Sequence, residues 1–293
     1  MTMQTRYRHG LAALLLAAAC ASAQAGPLPV VDASMGEQVV VIPARIAGAD
    51  IGLQTTIYKP LGDGPFPVLF MNHGKAAGDA HQQQRARYPV ISREFVKRGY
   101  AVVIPMRLGF AGSDGTYVNS HCRARENGED QASSLYAAMA YVMKQPWADQ
   151  QHVILAGQSH GGLTAIAAGS HNINGVRGII NFAGGVNSRS HCDWKAALVD
   201  AFKAYGAVGT TPSIWFYGAN DQHFGPALAA DMYAAYTAGG GKAQLVAYGP
   251  FKRDAHGMSS SPDGVAIWLP ETTRFLQSVG MPTEIKYTIK DKR

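Results

Sequence analysis

HVILAGQSHGG, residues 152–162, decides how the rest of this chain is read. Four apolar residues, Val153 to Ala156, run directly into Gly157-Gln158-Ser159-His160-Gly161-Gly162. A short apolar run of this kind reads as a strand buried on both faces. The serine between glycines that follows is the G-x-S-x-G pattern, in which a hydroxyl rides on a tight strand-to-helix turn and stands clear of the sheet. Gly157 and Gly161 occupy positions where a side chain would collide with the strand or with the helix after it. The N-terminus of that helix also favours negative charge developing beside the serine. A purely structural glycine turn is the alternative reading. It is weakened by the extra glycine at 162 and by the strand and helix on either side.

Working outward, further apolar runs recur at Pro67–Met71, Tyr100–Pro105, Val176–Phe182, Ser213–Tyr217 and Ala243–Tyr248. Helical spacing is found at Tyr88–Arg98, Ser133–Met143, Ala227–Ala238 and Val265–Val279. Ahead of them, Val39–Ile46 and Ile51–Tyr58 are β-rich and separated by Gly48-Ala49-Asp50, a hairpin signal. Strands alternating with helices predict an α/β fold with a mostly parallel sheet of about eight strands, covered by helices on both faces and preceded by an antiparallel hairpin. Chemistry in such sheets sits at the carboxyl ends of the strands.

The nucleophile turn, its strand and its helix resemble those of the α/β-hydrolase superfamily. The resemblance is to dienelactone-hydrolase-like and related secreted serine esterases, and GQSHGG is also similar to the turn of prolyl-oligopeptidase-type domains. It covers residues 39 to 280 and implies acyl transfer by Ser159. Dienelactone hydrolases proper carry cysteine as nucleophile, so serine at 159 favours ordinary ester chemistry.

Serine needs a base within hydrogen-bond reach, and in this fold the chain order is Ser, acid, His. A base placed after the last strand must follow Tyr248, which selects His256 in the polar loop Asp254-Ala255-His256-Gly257. Between Ser159 and His256 the acids are Asp193, Asp200, Asp221, Asp231 and Asp254, with no glutamate. Asp221 follows the run Ser213–Tyr217, where the family places its acid; Asp193 is the second choice. The acid holds the imidazole in its working tautomer. For the oxyanion hole, one backbone donor is expected at His160. The resemblance of His73-Gly74-Lys75 to the family's HG-x turn implies Lys75 as the other, with the His73 ring structural. Arg107, Gly109, Gly112, Ser113 and Gly115 are similar to the superfamily's R-G-x-G-x-S-x-G stretch, with Leu108 at its first glycine. Arg107 either pairs with a substrate carboxylate or ties loops together.

Ser120-His121-Cys122 and Ser190-His191-Cys192 both follow strands. A Cys122–Cys192 disulfide leads the readings, with free thiols and, more remotely, a zinc site behind it. Residues 1–25 read as a signal peptide: Arg6 and Arg8, an apolar stretch from Leu11 to Ala19, and the cleavage site Ala23-Gln24-Ala25. Lipidation at Cys20 is the alternative. Residues 26–293 are then one α/β-hydrolase domain, secreted or periplasmic, with no stable membrane insertion.

The 293 residues are 47% hydrophobic, enough for a full core, and carry a formal charge of +6 without a basic run. Nucleic acid is therefore not an expected partner. No dinucleotide fingerprint, P-loop or metal-ligand spacing is present, so no cofactor and no metal are expected. No large cap fits between Phe182 and Ser213. The expected activity is hydrolysis of small-molecule or polymeric carboxylic esters through an acyl-enzyme. A prolyl-oligopeptidase-like peptidase or amidase, and a non-catalytic binding protein on the same fold, are the alternatives.

Overall fold

The computed structural model describes residues 31–289 apart from Arg189. The expected leader at 1–25, with Cys20, lies outside the described residues. The hairpin consists of β1 (Glu37–Ile46) and β2 (Ala49–Tyr58). Its register pairs Ile46 with Ala49, and the two intervening residues Ala47 and Gly48 have φ 49° and 84°. Positive φ at both central residues is what a two-residue type I′ hairpin needs. The turn is thus one residue earlier and tighter than the expected Gly48-Ala49-Asp50.

The remaining strands are β3 (Phe66–Asn72), β4 (Ala101–Pro105), β5 (Ala148–Gln158), β6 (Val176–Phe182), β7 (Ser213–Gly218) and β8 (Ala243–Tyr248). The sheet order is β1-β2-β4-β3-β5-β6-β7-β8. The β1–β2 and β2–β4 pairings are antiparallel and all others parallel. Strand order reverses at β3: the chain passes to β4 on one side and then to β5 on the other. That reversal opens a crevice at the carboxyl ends of β3 and β5.

Alternate residues of each central strand face opposite layers. Leu69, Val102, Ile154 and Phe216 join Phe95 of α1 (Pro89–Lys97) and Trp268 and Phe275 of α6 (Val265–Ser278). On the other face Val68, Val103, Leu155 and Trp215 join α2 (Ala124–Val142), α3 (His160–Gly169), α4 (Trp194–Val208) and α5 (Pro226–Ala238). Helix α2 begins nine residues before the expected Ser133, because Arg125, Glu126, Glu129 and Asp130 mask the amphipathic pattern there. Helix α4 has no counterpart among the expected elements, although Leu198, Ala201, Phe202 and Tyr205 bury one face at i, i+3, i+4, i+7 spacing. No helix among the described residues is long and apolar enough to cross a membrane.

One buried ion cluster fastens the approach to α1. Glu37 opens β1 with a fully buried side chain. It accepts from Arg85 Nη1 at 2.9 Å, from Arg87 Nε at 2.8 Å and from Asp32 N at 2.6 Å. Burial pushes its carboxyl up, but the hydrogen bonds from Arg87, Arg85 and Asp32 outweigh this and hold it below the usual range. A carboxyl lowered by folding stabilises above its unfolded pKa and loses that contribution as pH falls through the folded value. Glu37→Gln should therefore cost about 3 kcal/mol at pH 7, read by urea unfolding. The difference from wild type should close in acid, once Glu37 itself is protonated.

Candidate active site

Ser159 sits between β5 and α3 with φ 57° and ψ −124°, a strained conformation for a residue with a side chain. Several bonds hold it. Its N–H donates to Phe182 O at 2.9 Å, and its carbonyl accepts from Gly162 N at 2.8 Å and Gly185 N at 3.0 Å. A Cβ on Gly157 would lie 1.9 Å from Gly161 O, and one on Gly161 would lie 2.0 Å from Asn72 O. These two glycines are required because β3, β5 and α3 meet there backbone to backbone.

Asp221 follows β7 and His256 follows β8, and their side chains meet: His256 Nδ1 is 3.0 Å from Asp221 Oδ2. The Asp221 side chain is fully buried, and its other oxygen accepts from His223 N at 2.8 Å and Phe224 N at 2.9 Å. Burial raises the Asp221 pKa, but its hydrogen bond and charge interaction with His256 and those two N–H groups more than reverse this, leaving it lowered. An ionised carboxylate thus faces Nδ1, which fixes the N–H there and turns Nε2 outward as the acceptor. Ser159 and His256 line one cleft of about 1180 Å³. Asp193 lies elsewhere in role: it caps α4, accepting from Ala196 N at 3.0 Å. Asp254 holds backbone too, accepting from His256 N at 2.9 Å and Gln222 N at 3.1 Å.

The loop after β3 reaches the same cleft. A Cβ on Gly74 would stand 3.4 Å from the Ser159 Cβ, so the His73-Gly74-Lys75 backbone runs beside the serine. The His73 ring is buried and bonded through Nδ1 to Gly74 O at 2.7 Å. Arg107 is fully buried among protein groups, so it ties loops and does not meet a substrate carboxylate. The Cys122–Cys192 disulfide, with Cα atoms 6.3 Å apart, joins the loops after β4 and β6 at the cleft rim. Beside it His121 Nδ1 is 3.1 Å from Ser190 Oγ.

Three residues of the cleft carried no signal in the motif reading. Gln158 donates from Nε2 to His256 O at 3.1 Å, binding the histidine loop to the serine turn. Tyr88, at φ 42°, accepts from Gly74 N through its hydroxyl at 3.1 Å. Trp194 packs edge-on to Phe224, with ring centroids 6.4 Å apart. The variable position of G-x-S-x-G conceals the first, and the second, placed by its spacing in the helix Tyr88–Arg98, is the N-cap of α1. The i+4 periodicity of α4 would have pointed to the third.

Residues 48–212 match the model of the X-Pro dipeptidyl-peptidase (S15) family. The chain belongs to that family. The cocaine esterase of Rhodococcus sp. (strain MB1 Bresler) is 30% identical over 142 residues, 48% of this chain and 22% of that protein. This S15-family chain thus matches about a fifth of its curated relative. Among solved structures, the acylaminoacyl peptidase of Pyrococcus horikoshii superposes with a TM-score of 0.62 at 14% identity, over 86% of this chain and 43% of that one. An esterase of Pyrococcus furiosus gives 0.58 at 15%, over 86% and 96%. The fold is that of the α/β-hydrolases, and the family is one of serine hydrolases.

The rim disulfide closes a 70-residue separation, for which loop entropy gives an upper stabilisation of about 4 kcal/mol. Reduction should lower the melting temperature of the folded protein, and thiol titration of unreduced protein should find neither Cys122 nor Cys192.

Proposed function

We propose that this S15-family protein hydrolyses carboxylic esters, with Ser159 as nucleophile, His256 as base and Asp221 as the acid that orients it. Ser159 Oγ attacks the ester carbonyl while its proton passes to His256 Nε2. The Lys75 and His160 N–H groups, neither with a protein acceptor among the described residues, receive the oxyanion. Collapse expels the alcohol, which takes the proton from His256. Water, deprotonated by the same ring, then releases the acid. Asp221 stays ionised throughout and stabilises the imidazolium. The disulfide suits an oxidising compartment, and export after cleavage near Ala25 is part of this reading.

The family's name favours a second reading, cleavage after an X-Pro dipeptide. One observation weighs against it. A dipeptidyl peptidase must hold a protonated α-amino group, and a desolvated ammonium needs a carboxylate partner. Among the described residues lining the cleft none is Asp or Glu, whereas Lys75 is present and bonds only backbone carbonyls, Arg87 being paired with Glu37. The cleft therefore favours neutral or anionic acyl groups, and this observation carries the esterase reading.

A panel of p-nitrophenyl esters from acetate to palmitate, run against Gly-Pro-p-nitroanilide, tests it. Esters should be cleaved and the anilide spared; the reverse preference would support the peptidase. Ser159→Ala should lower ester turnover by up to ~10⁶ while keeping the fold. Asp221→Asn should also cost rate severely with little loss of stability, and Asp193→Asn should leave rate nearly unchanged.

A further inference from the structure

Beneath the cleft lies a buried cation with no counter-ion. Arg107, just beyond β4, is 0% exposed. Its Nη1 donates to His73 O at 2.5 Å, Nε to Gln131 Oε1 at 3.1 Å and Nη2 to His160 Nδ1 at 3.3 Å. Its Cζ lies 5.0 Å from the Phe110 ring centroid. No carboxylate pairs with it among the described residues. Both imidazoles around it are held neutral. Its backbone N–H donates to His73 Nε2 at 3.1 Å, so the proton of His73 sits on Nδ1, facing Gly74 O. His160 accepts from Arg107 at Nδ1 and donates from Nε2 to Asn127 Oδ1 at 2.6 Å. Burial and then the charge of Arg107 depress both rings well below the ordinary histidine range. Every partner of the guanidinium is therefore neutral: each of its nitrogens makes a hydrogen bond, and no opposite charge meets it among the described residues.

We propose that Arg107 is a positioning residue of the oxyanion hole, which aligns the His73–Lys75 backbone and His160 and leaves an uncompensated positive charge under the place where the substrate oxygen becomes negative. The proposal rests on the hydrolase reading above. Desolvating a lone cation is unfavourable unless an opposite charge meets it. A ground-state carbonyl supplies none, and a tetrahedral intermediate does. The interaction is therefore stronger in the transition state and belongs to kcat and not to KM. A planar fork suits the task because it reaches three acceptors in fixed directions, which an ammonium does not.

The test uses the whole protein, p-nitrophenyl butyrate, a benzyl trifluoromethyl ketone and the matching non-fluorinated alcohol. In the ketone adduct Ser159 Oγ bonds to the carbonyl carbon, its proton moves to His256, and the carbonyl π pair becomes a localised oxyanion. For Arg107→Met, kcat should fall about 100-fold or more with KM within about threefold. Affinity for the ketone should fall in parallel, and affinity for the alcohol should not. Arg107→Lys keeps a charge that burial makes easy to lose. Its kcat/KM should fall on an alkaline limb below about pH 9 that wild type lacks. The titratable groups facing the site are His73 and His160, neutral throughout, and Tyr88 and Tyr117, both raised by burial; Lys75 is the other nearby charge. A folded Arg107→Met protein with kcat and ketone affinity within about threefold of wild type, or equal losses for ketone and alcohol, would overturn the proposal. Should Arg107→Met fail to fold, Arg107→Lys decides, and a pH profile like that of wild type overturns it. Wild-type protein inert to both ester and ketone overturns the hydrolase reading and this proposal with it. An active wild type with insensitive Arg107 variants overturns this proposal alone.

Discussion

At Ser159 the chain turns from β5 into α3 with a backbone that a side-chain-bearing residue adopts only under strain, of order 1–3 kcal/mol. The rest of the site depends on that turn being held. Phe182 at the end of β6 takes its N–H, and Gly162 and Gly185 bond its carbonyl. A strand on each side of β5 is thus part of the support, and so is the hydrogen at Cα of Gly157 and Gly161, where a methyl group would meet backbone oxygen at about 2 Å. Helix α3 follows from the same demand. Every one of its residues is buried, as expected of a helix pressed onto the centre of a sheet and covered from outside by α2 and α4.

Loops from four strands converge on this turn, and each is fixed by bonds of its own. Gln158 joins the His256 loop to the serine. Asp254 secures the backbone at both His256 and Gln222, so one side chain sets the spacing between the loops that carry Asp221 and His256. The disulfide clamps the rim on the opposite side. The geometry at the serine is therefore held by bonds between neighbouring loops, and none of these loops is tied down by a single contact.

Much of this was legible in the sequence because it rests on local rules. The strand-glycine-serine-glycine run dictates the turn, and the apolar runs dictate strands covered on both faces. Asp221 and His256, chosen for their places in the segments that follow β7 and β8, do lie side by side. What stayed hidden depends on partners distant in the chain. Helix α2 begins in a charged stretch whose buried face is defined by α3, α4 and the sheet. Tyr88 reaches Gly74 from a loop fastened by Glu37, 50 residues from Arg87. Asp193 and Asp221 both follow strands, and only the position of α4 shows that the first is a cap.

The sorting of histidines makes the same point in chemical terms. His73 and His160 lie closer to the serine in sequence or in the loop beside it than His256 does, yet neither is free to take a proton. Each has both ring nitrogens engaged, each is dry, and each faces the Arg107 cation, so an imidazolium there would add a second uncompensated charge. His256 differs on every count. It is partly exposed to the cleft, its Nδ1 meets the ionised Asp221 carboxylate, and the rings of His223 and Phe224 lie beside it. One buried cation among neutral partners and one buried anion beside an imidazole thus set the two environments apart. Burial and the Arg107 charge keep the His73 and His160 rings neutral, and the Asp221 carboxylate is hydrogen-bonded to the His256 ring.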